Sequence, residues 1–280
     1  MKWSYGVTTV PARRDDLLPR TLASLAAGGF PAPRLFVDGA RDGFDGFGLD
    51  VTYRFPLVRT GANWLMSLLE MYVREPHADR YVLFQDDVLS VANLRQYLEA
   101  APWPGGRAYL NLYTFAGNVS LMIQHGRDGW FKSNQLGKGA LGLVFDNAGC
   151  RALLQSQHMV DRLNDPQWGW RKVDGGIAEA MKKHGNRFHE REGKEDHPPE
   201  AYKVWVPEPF TEFCHRPSLL QHSGTTSVMD KRRWLEDKKT PVTAHDPDHP
   251  AYVWPADTQG AGWPGEAFDA LRFLPEPVRA

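Results

Sequence analysis

A mostly parallel α/β sheet with helices on both faces is the fold class that this sequence predicts, on three observations. Short runs rich in β-branched and aromatic residues alternate along the chain with segments whose apolar residues recur at helical spacing. Two of the strand-like runs close on acids, where the chain has to turn before the next helix. With 280 residues and 42% hydrophobic content, the chain can bury a large core as one domain with an elaborated end.

The elements follow in order. "WSYGVTTV" (3–10) reads as a strand ended by Pro11. "DDLLPRTLASLAAGG" carries Leu17, Leu18, Leu22 and Leu25 near helical spacing, with Asp15 or Asp16 expected as N-cap and Gly28-Gly29 as the stop,. "PRLFVDG" (33–39) is a second strand, and "GANWLMSLLEMYVREP" a helix expected to bury Trp64, Leu65, Leu68, Leu69 and Tyr72,. "YVLFQDDVLS" (81–90) supplies a third strand that runs straight into Asp86 and Asp87. A helix around Val91, Leu94 and Leu98, strands in "RAYLNLYT" and "ALGLVFD", and a helix over "NAGCRALLQSQHM" complete the pattern. Strands alternating with helices specify a parallel sheet covered on both faces.

Charge and cysteine usage exclude several classes. A formal net charge of -1 and a pI near 6.8 provide no overall basic field for nucleic acid or an anionic membrane,. The two cysteines, Cys150 and Cys214, indicate neither a disulfide framework nor a cysteine zinc site, so the reducing cytoplasm is the expected location,. No signal-peptide h-region follows Met1, and no apolar run approaches the roughly 18 residues of a membrane span,.

In sheets of this kind ligands collect at the carboxyl ends of the strands. The loops "TTVPARRDD", "DGARDG" and "QDDV" all fall there, which gathers Thr8, Thr9, Arg13, Asp38, Asp86 and Asp87 around one crevice. Any one acid at a strand end commonly caps a turn. Two adjacent carboxylates repel each other unless something positive faces them. They suit a hard divalent cation, one acid binding it directly and the other holding a water or a ribose hydroxyl. No glycine-rich phosphate loop occurs, so phosphates would be neutralised by the cation and by Arg13 or Arg14. A nucleoside diphosphate on a cation fits that crevice.

"TTVPAR", the strand closing on Asp38 and the strand closing on "QDD" together resemble the GT-A glycosyltransferases, over roughly residues 3–227. "RPSLLQHSGTTS" (216–227) is similar to a stretch of the N-acetylglucosaminyltransferase IV family, and "GKGALGLVFDNAG" to the small-residue strand found there and in lipopolysaccharide glycosyltransferases. The resemblance implies a GT-A, Rossmann-like fold and transfer of a sugar from a nucleotide-diphosphate donor, a UDP-sugar such as UDP-GlcNAc or UDP-glucose, with inversion. It implies Mn2+ or Mg2+ on Asp87, since Gln85 stands where the first acid of the usual triplet would be, and leaves Asp86 to the ribose or to a water. It also implies that His222, in "LLQHSG", completes the metal site. Its neighbours Leu219 and Leu220 independently suggest a short buried strand delivering the imidazole inward.

Asp174 opens the helical segment "VDGGIAEAMKKHG", where capping and catalysis are equally compatible with the sequence,. The resemblance assigns it the role of general base, with Glu179 in reserve. Trp168 and Trp170 in "QWGWRK" suit an apolar floor under a sugar ring,. Residues 189–203 read as a polar loop able to close over donor. Residues 1–228 are thus expected to form the catalytic domain, and residues 229–280 an extension wrapping it. A non-catalytic glycan- or nucleotide-binding protein and a nucleotidyltransferase remain alternatives, the latter disfavoured because its first loop is normally rich in glycine and arginine. An aspartyl phosphatase would need an acid where Val88 stands. The acceptor hydroxyl is open among glycan, protein, small molecule and modified DNA base.

Overall fold

The computed structural model describes residues 1–114, 118, 129–133, 139–156, 159–160, 173–181, 210–223 and 269–274. In chain order these form β1 (Trp3–Thr9), α1 (Leu17–Ala27), β2 (Arg34–Asp38), β3 (Val51–Arg54), α2 (Thr60–Arg74), β4 (Arg80–Gln85), β5 (Val88–Ser90) and α3 (Leu94–Ala100). Then follow β6 (Ala108–Asn111), β7 (Gly129–Lys132), β8 (Gly142–Asp146), α4 (Asn147–Leu154), α5 (Asp174–Met181), β9 (Thr211–Arg216) and β10 (Leu220–His222).

Eight strands make one sheet in the order β3-β2-β1-β4-β8-β6-β9-β7, and β5 pairs with β10 in a separate two-stranded ladder. β3, β2, β1 and β4 run parallel, β8 is antiparallel to β4 and β6, β9 is parallel to β6, and β7 is antiparallel to β9. The sheet is therefore mostly parallel and Rossmann-like, as the sequence predicts, and consistent with the GT-A class.

Alternation at period two feeds two cores. Val82 and Phe84 of β4 point into the layer that holds Leu18 and Leu25 of α1 and Leu94 and Leu98 of α3. Tyr81 and Leu83 point the other way, into Trp64, Leu65, Leu68 and Met71 of α2, Leu153 of α4 and Ile177 of α5. Burial on both faces explains why β4 is a continuous apolar run rather than an alternating one. Gly142, first in β8, permits the close approach of the small ladder to the sheet: a Cβ there would stand 2.4 Å from Leu220 Cδ1.

Several expectations are corrected. Leu69 is 46% exposed and Tyr72 only partly buried. One residue turns an α-helix by about 100°, which carries Leu69 off the stripe centred on Trp64 and Leu68. Asp16 occupies the N-cap position of α1 but makes no side-chain cap bond. α3 begins at Leu94, after Asn93 adopts φ 55°, so Val91 belongs to the segment following β5. α4 ends at Leu154 instead of continuing to Met159. Strands β3, β5, β7 and β9 are additions to the expected pattern; β3 is short, mostly half-buried and on the sheet edge, where apolar alternation is weak,. No helix among the described residues is long and apolar enough to cross a membrane.

Candidate functional site

The ends of β1, β4 and β10 bring the predicted residues together. The register Thr8↔Gln85 between β1 and β4 sets Thr9 beside Asp86, and Thr9 Oγ1 donates to Asp86 Oδ2 at 2.7 Å. β5 and β10 pair Val88 with His222, which delivers the imidazole to the residue before β5: His222 Nε2 lies 3.1 Å from Asp87 Oδ2. Arg13, from the 3-10 turn Pro11–Arg13, places a buried guanidinium nitrogen 3.7 Å from the same oxygen. The positive group that two adjacent acids require is thus Arg13, and the His222 imidazole stands beside it, both facing Asp87.

The turn bearing the acids is anchored through its backbone. Ser223 N and Oγ donate to Asp87 O at 2.8 and 3.0 Å. Thr21 Oγ1 stands 2.8 Å from Asp86 O and 2.9 Å from Val88 O, and donates to one or the other. Sequence reasoning misses both anchors. The signal for Thr21 is there, because it is a polar residue at helical spacing between Leu17, Leu18 and Leu25 on the buried face of α1.

Environment separates the two acids. Burial, and next the charge of Asp87, push the Asp86 carboxyl up to about 7 against the opposing effects of Thr9, Arg13 and the Val10 backbone. For Asp87, burial acts upward but is outweighed by the attraction and hydrogen bond of His222 and the charge of Arg13, so its carboxyl lies below the usual range. Asp87 is therefore the permanent anion, and Asp86 the acid that readily holds a proton.

Asp87 and His222 are the described residues that could hold a divalent cation. Asp87 Oδ1 is buried without a hydrogen-bond partner among the described residues, and a carboxylate beside an imidazole is a donor pair that Mn2+ accepts. No group of three or more His, Cys, Asp or Glu suited to a metal occurs among the described residues. Asp87 and His222 would supply two positions, leaving the others to diphosphate oxygens and water.

Other predicted residues are placed differently. Thr8 Oγ1 donates across to Phe84 O at 3.3 Å, tying β1 to β4. Asp38 lies at the end of β2 but turns to the segment leading into α2, accepting from Val58 N at 2.8 Å. Burial raises its carboxyl despite the backbone bonds of Val58 and Arg59 and the charge of Arg54. Gln85 donates to Ala140 O at 3.0 Å. Asp174 begins α5, whose last residue, Met181, accepts from Phe210 N at 2.8 Å just before β9. At about 1.5 Å per residue this leaves Asp174 roughly 10 Å along the helix from that anchor. The side chains of Asp174 and Glu179, and all of Trp168, Trp170 and residues 189–203, lie outside the described residues.

No family model and no curated protein matches the chain. Among solved structures it is similar to HddC from Yersinia pseudotuberculosis, at 9% identity and a TM-score of 0.37 over 79% of this chain and 93% of that one. It is also similar to mouse xyloside xylosyltransferase 1, apo form, at 12% identity and 0.34 over 65% and 81%. A197 from STIV aligns at 13% identity and 0.31 over 60% and 80%. Likeness at this level carries no argument about activity; the strand order and the site geometry stand on their own.

Proposed function

We propose that this chain is a glycosyltransferase that moves a sugar from a nucleotide-diphosphate donor, a UDP-sugar, to an acceptor hydroxyl with inversion. The observation that carries the reading is the convergence of Asp87, His222 and Arg13 at the carboxyl end of β4. In that place a cation held by Asp87 and His222, with a buried guanidinium beside it, suits a diphosphate leaving group.

The roles of the chain's own residues follow. Arg13 adds a fixed positive charge where the leaving group gains its negative one. Thr9 and Asp86 hold the first loop against β4. Asp174 takes the acceptor proton as the acceptor oxygen forms its bond to the anomeric carbon; the bond from that carbon to the diphosphate oxygen breaks with its electron pair. The cation, Mn2+ or Mg2+, supplies charge neutralisation for the leaving diphosphate.

The test is thermal stabilisation by UDP in Mn2+ and in EDTA, followed by hydrolysis of a panel of nucleotide sugars. At about 100-fold excess over Kd, binding stabilises by ~2.7 kcal/mol, roughly 5–10 °C for a chain of this size. Equal shifts in both buffers would exclude the cation, and no shift with any nucleotide would exclude the donor class.

A further inference from the structure

The described residues nearest the C-terminus meet the segment that follows β5. Asp269 bridges Ala92 in parallel, Ala270 N donates to Ala92 O at 3.1 Å, and Asn93 Nδ2 donates to Asp269 Oδ1 at 3.3 Å. Ala92 stands two residues beyond β5, the strand that follows Asp87 directly. Ala270 is fully buried and opens the 3-10 turn Ala270–Phe273, which packs on α3.

The same turn also reaches β9, the sheet strand from which the chain runs on through residues 217–219 to β10. Phe273 packs against the His215 ring at 5.4 Å and 73°. His215 is fully buried in β9, seven residues before His222. Its Nδ1 donates to Pro217 O at 2.7 Å and its Nε2 lies 2.7 Å from Tyr97 Oη, while Thr114 Oγ1 donates to its carbonyl at 2.6 Å. Between the two arms, Val91 N donates to Leu219 O at 3.2 Å.

β5 and β10 are three residues each, too short a pair to set its own spacing; Thr21 and Ser24 hold β5, and Leu112 O accepts from Leu219 N and Leu220 N at the start of β10. The distance between Asp87 and His222 therefore depends on what braces the strands from outside. We propose that residues 269–274 are a positioning segment for the cation pair: by gripping Ala92, which follows β5, and His215 in β9, from which residues 217–219 lead into β10, they tie together the flanks of the two ladder strands, and Phe273 is the residue that transmits the grip. The proposal rests on the reading of Asp87 and His222 as cation ligands.

Two measurements on the full chain test it. The first is the Mn2+ dissociation constant, by electron paramagnetic resonance, for wild type, Phe273→Ala and Phe273→Leu. The second is amide hydrogen exchange of residues 87–92 and 218–223 without metal. Loss of the brace is expected to weaken Mn2+ binding about threefold to tenfold in Phe273→Ala, as for a coupling of ~1 kcal/mol, and to speed exchange in both segments while β1 and β2 keep wild-type protection. Phe273→Leu retains apolar bulk without the ring edge on His215, so it decides the matter if the alanine variant does not fold. Wild-type Mn2+ affinity and exchange in a folded variant would overturn the proposal. A wild-type chain that binds no Mn2+ would instead sink the cation reading, and the exchange comparison alone would then decide the brace.

Discussion

Two buried groups with opposite tendencies should hide each other's pH dependence. His215 is buried, and burial pulls its imidazole down to about 4 from an ordinary 6.5, against the raising effect of the Pro217 bond. Between those values the unfolded chain holds a proton on His215 that the folded chain does not. Stability from this group therefore rises with pH, by about 3 kcal/mol over the window at ~1.4 kcal/mol per pH unit. Asp86 works the other way. Its folded carboxyl is raised to about 7 from 3.8, so the folded chain holds the extra proton and stability falls, by about 4 kcal/mol, as pH climbs through the same range. The wild-type chain should accordingly be nearly flat between pH 4 and 6.5. Asp86→Asn should leave the His215 slope exposed, with stability increasing toward neutrality; His215→Gln should leave the Asp86 slope exposed, with stability decreasing. Urea unfolding of the three proteins at pH 4.5, 5.5, 6.5 and 7.5 in EDTA reads the effect. Asp38, raised in direction, is common to all three and cancels in the comparison, and the low carboxyl of Asp87 titrates below the window. Parallel curves within about 1 kcal/mol would refute the assignment of either group.

Three further outcomes are expected. Asp87→Asn should reduce the UDP-dependent stabilisation in Mn2+ to its value in EDTA, whereas Cys150→Ala should keep it, both read as melting temperature. Asp174→Asn should preserve UDP affinity by calorimetry, since asparagine keeps the size of aspartate, while saturated turnover falls by about 10²-fold or more; near-wild-type turnover would pass the role to another residue. Thr21→Val keeps shape but removes the hydroxyl shared by Asp86 O and Val88 O, and should cost about 1–3 kcal/mol in urea unfolding together with weaker Mn2+ binding. Unchanged stability would show that the turn needs no such anchor.

The β1, β2 and β4 part of the sheet is readable in the sequence because local signals agree there: these strands are apolar runs that end at Pro11, Gly39 and the Asp86-Asp87 pair. The geometry around the acid pair is partly readable for a similar reason. Leu219 and Leu220 flank His222 closely enough to announce a buried strand, and β10 is that strand. Pairing between distant segments leaves no such local trace. Val88-Leu89-Ser90 is only three residues long, and the strand state of β5 exists through β10, Thr21 and Ser24. Position at a strand end points Asp38 and Thr8 into the crevice; position alone does not say that Asp38 turns to the Val58 backbone or Thr8 to Phe84 O. Beside Cys214, His215 reads as packing, and its tie to Phe273 is legible only in three dimensions.

Asp87 and His222 stand 135 positions apart, and this sets a clock on biosynthesis. At ~5–20 residues per second, a ribosome that has just added Asp87 needs about 7–27 s more to add His222. During that interval the nascent sheet can already join β1, β2, β3 and β4, with the acid pair in place and its imidazole partner still unmade. Closing so long a loop costs entropy that grows only logarithmically with length, so delay rather than free energy separates the half-built crevice from the finished one. Cation affinity should therefore appear late and abruptly, as the ladder between β5 and β10 closes, and stalled chains ending before residue 220 should lack it even where their first four strands are fully protected from exchange.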